Sequence, residues 1–210
     1  MPRYGTINRD YGMHLARCEP DADGDIYMLN LMKYRERAVY DDAADAAVSG
    51  READDRYAPV DVLAAIGASV CFLGDVVDAS EDWDRIAVVR YPTRRSFIEM
   101  QARDDFKDKH VHKEAGMDHT TIMGTLPTAG MPVAAKPNRL LIEAWKGSAP
   151  TPAVDGTAVA FDVEGTIIGD ERTWDGARYT AIEGDTKVDV SVGTPEYQLI
   201  VVQPTIERWQ

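Results

Sequence analysis

The sequence predicts an α+β fold: a ferredoxin-like β-α-β-β-α-β unit over residues 25–127, followed by a degenerate, strand-rich second copy over residues 138–210. Three observations carry this expectation. Strand-like and helix-like segments alternate in that order through the first two-thirds of the chain. A proline-rich stretch without periodicity, residues 128–137, then reads as a linker. Beyond it, Gly169-Asp170 ahead of Trp174-Asp175 and a strand echoes Gly74-Asp75 ahead of Trp83-Asp84 and a strand. Residues 1–24 stand outside this plan as an N-terminal extension.

The first strand is residues 25–33. Alternation puts Tyr27, Leu29 and Leu31 on one face and Met28, Asn30 and Met32 on the other, and both faces are apolar enough to be covered. After a polar loop, Ser49-Gly-Arg-Glu52 has the spacing of a capping box. Ala53, Tyr57, Val60 and Ala64 follow at helical spacing, Pro59 divides the helix, and Gly67 stops it. Residues 68–77 and 83–91 read as two strands joined by an acidic turn. Thr93 is the expected cap of the next helix, with Phe97 and Met100 turned inward. A further helix from about residue 104 to 117 carries Phe106, His110, Lys113 and Met117 along one side, and residues 120–126 close the unit. After the linker come four strand-like segments, with connections at 147–156 and 185–195 too short for full crossover helices.

Composition excludes several classes. With 23 basic and 36 acidic residues the net charge is −13, and no basic stripe with interleaved aromatics appears, so nucleic acid is not an expected partner. Cys18 and Cys71 are the two cysteines and form no CxxC pair, which implies neither a disulfide framework nor a zinc knuckle. There is no signal-peptide core and no stretch approaching 18 apolar residues, so no membrane is expected and the cytoplasm is the default address. Nucleotide, metalloprotease and calcium-loop motifs are absent from the sequence, and no cofactor or metal is expected; only a lone histidine leaves haem open.

The segments DIYMLNLMKYRERAVY, SGREADDRYA, EDWDRIAVVRYPTRRSFIEM and DDFKDKHVHKEAGM together resemble the family called domain of unknown function 1330, of the dimeric α/β-barrel superfamily. The resemblance spans about residues 25–127. It implies a sheet whose open face becomes a ligand cavity when two copies pair, here within one chain, in a dimeric α/β-barrel-like arrangement. Two positions depart from the resembled pattern. Asp54 stands where an aromatic is usual, and the late-helix His-Arg pair is His112-Lys113, which replaces a fork-shaped donor with a point charge.

Candidate chemistry follows from these placements. Asn30, between Met28 and Met32, is read either as an amide that orients a carbonyl or stabilises an oxyanion, or as a structural asparagine bonded to nearby backbone. The resemblance implies His112 as a general acid or base, against the plainer reading of a solvated or capping histidine. Tyr34 continues the Asn30 face as a cavity aromatic, and Arg35 could meet an anionic group. Tyr57 and His110 face inward as core residues or as part of the binding surface. His110 and His112, about 200° apart on a helix, cannot share one metal.

Two functions remain open. One is a cofactor-independent enzyme using acid/base chemistry (isomerase, lyase, cyclase or monooxygenase type) on a small, mostly apolar carbonyl or phenolic metabolite. The other is a non-catalytic small-molecule-binding or assembly module. Exposed sheet edges would allow a homodimer.

Overall fold

A computed structural model describes residues 4–41, 47–128 and 139–208 of the 210-residue chain. In chain order the elements are β1 (Thr6–Ile7), α1 (Arg9–Arg17), β2 (Ile26–Tyr34), α2 (Gly50–Tyr57), α3 (Val60–Ala65), β3 (Ser69–Ala79), β4 (Arg85–Tyr91), α4 (Arg94–Ala102), α5 (Asp104–Gly116) and β5 (Met117–Pro127). The second half adds β6 (Arg139–Trp145), β7 (Ala158–Gly169), β8 (Gly176–Ile182), a 3-10 turn at Val190–Val192 and β9 (Tyr197–Glu207). Most of the expected linker, from residue 129 on, lies outside the described residues.

The strands run in the order β7-β5-β2-β4-β3-β9-β6-β8, and β8 pairs back onto β7, so the sheet closes into an eight-stranded ring in which every pairing is antiparallel. β1 extends the far end of β7, pairing Ile7 with Ile168. This closure corrects the α+β expectation. The molecule is a closed antiparallel β-barrel dominated by strand, not a ferredoxin-like α/β unit with a cover, and not a dimeric α/β barrel. The physical reason lies at the sheet edges. β5 and β3 would each leave a row of backbone N–H and C=O groups unpaired, and β7 and β9 satisfy those rows directly. The second half therefore joins the first edge to edge, and among the described residues the ring leaves no free edge for another chain.

Alternation along β2 decides what each face buries. Tyr27, Leu29 and Leu31 point into the barrel, where they meet Phe72, Ile142 and Phe161 in a core that fills the interior. Met28 points outward, into a separate core made with α1, α3, α4 and α5. The expectation that an open sheet face becomes a cavity between two copies is corrected here as well: the barrel interior is packed with side chains.

Local signals explain the helical layer. Ser49 and Glu52 form a reciprocal capping box at the start of α2, and Thr93 and Ser96 do the same for α4. Pro59, which cannot donate an N–H, separates α2 from α3. Gly67 ends the segment at φ +71°. At the α2–α5 crossing, a Cβ on Gly50 would collide with the carbonyls of Arg35 and Gly116, so only glycine permits that approach. The N-terminal extension is tied in by Glu164 of β7, which accepts from Tyr11 of α1 at 2.9 Å and from Arg94 of α4 at 2.7 Å. No helix among the described residues is long and apolar enough to cross a membrane.

The two halves share a hydrogen-bonding frame. Asp84 donates its N–H to Met32 O (2.9 Å) and accepts from Val76 N (3.0 Å); Asp175 donates to Trp145 O (2.8 Å) and accepts from Val163 N (3.0 Å). Met32 thus corresponds to Trp145 and Val76 to Val163. The Gly-Asp echo read from the sequence is out of register in this frame. Gly74 precedes Val76 by two residues, whereas Gly169 follows Val163 by six, because β7 runs on to reach β1 and β5.

Candidate functional site

Between the outer face of the first half and its helices lies a cavity of about 680 Å³. Its walls are mostly apolar, with Met28, Met32, Leu63, Phe97, Met100 and Ile167 among them. That volume suits a small organic molecule. One side is different. Tyr4, Tyr57, His110, Lys113, Asp54 and Arg85 all reach the same space.

The glycine contact explains how the charged residues meet. With Gly50 and Gly116 touching, Asp54 stands one turn along α2 and Lys113 one turn back along α5. Asp54 is buried and accepts from the Tyr34 hydroxyl at 2.6 Å, while an Arg85 guanidinium nitrogen lies 3.4 Å from the same oxygen. Arg85 also bonds Asp55 (2.8 Å) and Asp75 (3.1 Å), and Arg51 clamps Asp75 from outside at 2.7 Å. Although burial opposes it, the bonds from Arg51 and Arg85 hold the Asp75 carboxyl below its usual range. Arg85 keeps its charge, since its hydrogen bonds and neighbouring acidic groups outweigh desolvation.

Lys113 is placed otherwise. It is 5% exposed, and its ammonium sits 5.3 Å from the Tyr57 ring centroid and 6.0 Å from that of Tyr4. Among the described residues it finds no hydrogen-bond acceptor. Burial pushes its pKa down from the ordinary lysine value, and Asp54 nearby resists that shift. His110, one turn earlier on α5, has Nε2 3.1 Å from the Tyr4 hydroxyl and a buried Nδ1 without a partner among the described residues. Desolvation, helped by the Lys113 charge, lowers its pKa to about 4, so the ring is neutral at pH 7.

The expected site residues divide. Met28, Asn30, Met32, Tyr57 and His110 all line the cavity. Asn30 commits one N–H to the Met28 carbonyl of its own strand at 2.9 Å. Tyr34 stands one step behind the wall and holds Asp54. His112 lies elsewhere. It faces away on α5, with Nδ1 2.8 Å from the Tyr40 hydroxyl, and is not among the described residues lining the cavity. Arg35 is likewise elsewhere: its nearest carboxylate is Asp118 at 3.8 Å, and its backbone is pinned between Gly50 and Gly116.

Lys113, Asp54, Arg85 and Tyr4 were not foreseen as site residues. A signal existed for two of them, because Asp54 and Lys113 are the two departures from the resembled pattern and they meet at this wall. Lys113 also shares the Phe106–His110 helix face that the sequence assigns inward. Tyr4, in the extension, carries no signal. Among the described residues no group of three or more His, Cys, Asp or Glu is placed to hold a metal ion.

No family model matches the chain, and no curated protein matches it. Among solved structures, the RPA0582 protein of unknown function from Rhodopseudomonas palustris aligns at 23% identity with a TM-score of 0.49, over 59% of this chain and 95% of its own. A crystal structure of methylated RPA0582 protein aligns with the same identity and TM-score, over 59% of this chain and 94% of its own.

Proposed function

We propose that this chain is a cytoplasmic, cofactor-independent enzyme that performs acid/base chemistry on a small, mostly apolar carbonyl or phenolic compound. The observation that supports this reading is the convergence, on one wall of a mostly apolar cavity, of a neutral histidine and a buried lysine that has no hydrogen-bond acceptor among the described residues. An apolar substrate body fits the methionine- and isoleucine-rich walls, where flexible thioethers adapt to irregular shapes. Its oxygen would turn to the polar wall. There the Lys113 ammonium would stabilise an enolate or phenolate, the more strongly for the mostly apolar walls around it.

His110 takes the role that the resemblance gave to His112. A ring that is neutral at pH 7, hydrogen-bonded through Nε2 to the cavity-lining Tyr4, can take or give a proton by way of the Tyr4 hydroxyl. Isomerisation, lyase-type cleavage, cyclisation and oxygenation all begin with such a proton transfer.

The test starts from what the cavity retains. Organic extraction of the purified protein and mass spectrometry should show a mostly apolar carbonyl or phenolic compound, present in stoichiometric yield. Turnover of that compound should then fall by about two to four orders of magnitude in His110→Ala, the usual worth of a general acid/base. A ligand that is bound and never converted, by wild type or variant, would make the chain a binding module instead.

A further inference from the structure

We infer that Lys113 is a covalent nucleophile whose amine condenses with an aldehyde or ketone held in the cavity to give a Schiff base. The inference rests on the cavity reading above and narrows its substrate class from carbonyl or phenolic compounds to carbonyls.

The setting of Lys113 is unlike that of the ion-paired lysines. Lys33, Lys107 and Lys109 each hold a carboxylate oxygen, at 2.7, 2.9 and 2.6 Å. Those amines are exposed or half-exposed and occupied. Lys113 is buried and lines the cavity, and its carboxylate neighbour, Asp54, is taken up by Tyr34 and Arg85. A buried lysine without an acceptor is costly to keep unless its position has a use.

The surroundings fit both ends of the condensation. Burial lowers the lysine pKa, which raises the fraction of neutral amine able to attack. The product iminium is again a cation at the same place. There the Tyr57 and Tyr4 rings and the charge of Asp54 stabilise it as they do the ammonium. Apolar walls on the remaining sides accept the substrate's hydrocarbon body.

The chemistry balances without an oxidant or reductant. The amine lone pair forms a C–N bond to the carbonyl carbon, and the C=O π pair moves to oxygen, which takes up a proton. In the resulting carbinolamine, the nitrogen has lost one proton and its lone pair then expels the oxygen as water, with a second proton supplied to the leaving hydroxyl. The net change is amine plus carbonyl plus one proton to iminium plus water. His110 and the Tyr4 hydroxyl, linked at 3.1 Å and both on this wall, are the groups placed to relay those protons.

Octanal serves as the carbonyl probe and octanol as its non-condensing counterpart. The protein is treated with octanal and sodium cyanoborohydride at neutral pH, then digested and mapped by mass. Reduction of the iminium fixes the probe's mass less one oxygen on the reacting lysine. Lys113 should be labelled at least tenfold faster than any other lysine, with the excess suppressed by saturating octanol. Lys113→Arg keeps the charge and should lose the fast phase while retaining the wild-type circular dichroism spectrum. Labelling spread over exposed lysines with no lead at Lys113 overturns the inference. If octanol still raises the melting temperature in that case, the cavity reading survives. If neither octanol nor octanal shifts it, both readings fall.

Discussion

On the outer face of β2, Asn30 lies across from Ala87 of β4; in the equivalent frame of the second half, Glu143 of β6 lies across from Arg178 of β8. Two residues further along, Met32 corresponds to Trp145. The second half fills its face. Glu143 binds Arg178 at 2.8 and 2.9 Å, accepts from the Tyr197 hydroxyl at 2.6 Å and from Ala153 N at 3.2 Å, and the guanidinium lies 5.3 Å from the Trp145 ring centroid. Loops and the 3-10 turn bring Val154, Val188 and Val190 over it. In the first half an amide and a methyl stand where the ion pair would be, helices replace the loops, and a cavity remains. One barrel frame thus supports a satisfied electrostatic plug on one side and, on the other, a hollow with a cation that has no acceptor among the described residues. The difference teaches that side-chain volume and pairing, together with what covers the sheet, decide whether a face is filled or hollow.

Removing one partner of the plug should give the largest effect. Glu143→Ala leaves Arg178 buried without its carboxylate, and breaking a pair of this kind costs about 3–5 kcal/mol. Urea unfolding should show that loss, with the slope unchanged. A loss under about 1 kcal/mol would mean that the two faces are less different than their hydrogen bonds suggest.

The opposite sign is expected on the hollow side. Lys113→Met replaces a desolvated amine with an apolar chain of similar length. It should raise stability by about 1–3 kcal/mol at pH 7, in line with apolar replacement of buried charge. Because the folded-state pKa is depressed, the burial penalty is full below the folded value, fades as pH rises from there, and is gone above the unfolded lysine value of about 10.4. The gain in the variant should shrink over the same range. Equal destabilisation by Glu143→Ala and Lys113→Met would break the comparison.

A smaller, pH-dependent effect belongs to His110. Its folded pKa of about 4 lies below the unfolded value of about 6.5, so the unfolded chain takes up the proton first as pH falls. Its contribution is fully present above about pH 6.5 and is lost progressively down to about pH 4. His110→Asn should flatten that part of the profile, read as the urea midpoint at pH 7 and pH 5 against wild type.

Much of the first half was legible because its signals are local. The two-faced alternation of β2, the Ser49–Glu52 box, the break at Pro59 and the cap at Thr93 each depend on residues within one turn or a few positions. Closure was not legible, since nothing in β9 itself says that its edges will meet β3 and β6, which lie far away in the chain. The site was half legible for the same reason. Alternation brought Met28, Asn30 and Met32 to one face, and helical spacing put His110 and Lys113 together on another. The choice of His112 followed the resemblance, and that residue meets Tyr40 rather than the cavity. Tyr4 needed the whole N-terminal extension to fold back, which no periodicity announces.

The position of β9 between β3 and β6 also sets an order in time. It is the last of the described strands in sequence, and its partners in β3 lie more than 120 residues earlier. A chain made from the N-terminus onward therefore carries two unpaired edges until β9 emerges. Those edges are templates for pairing with other nascent chains. Loop-closure entropy makes this last step slow compared with hairpin formation. During synthesis, the hazard of misassociation is thus concentrated in the interval before one eleven-residue strand slots into place.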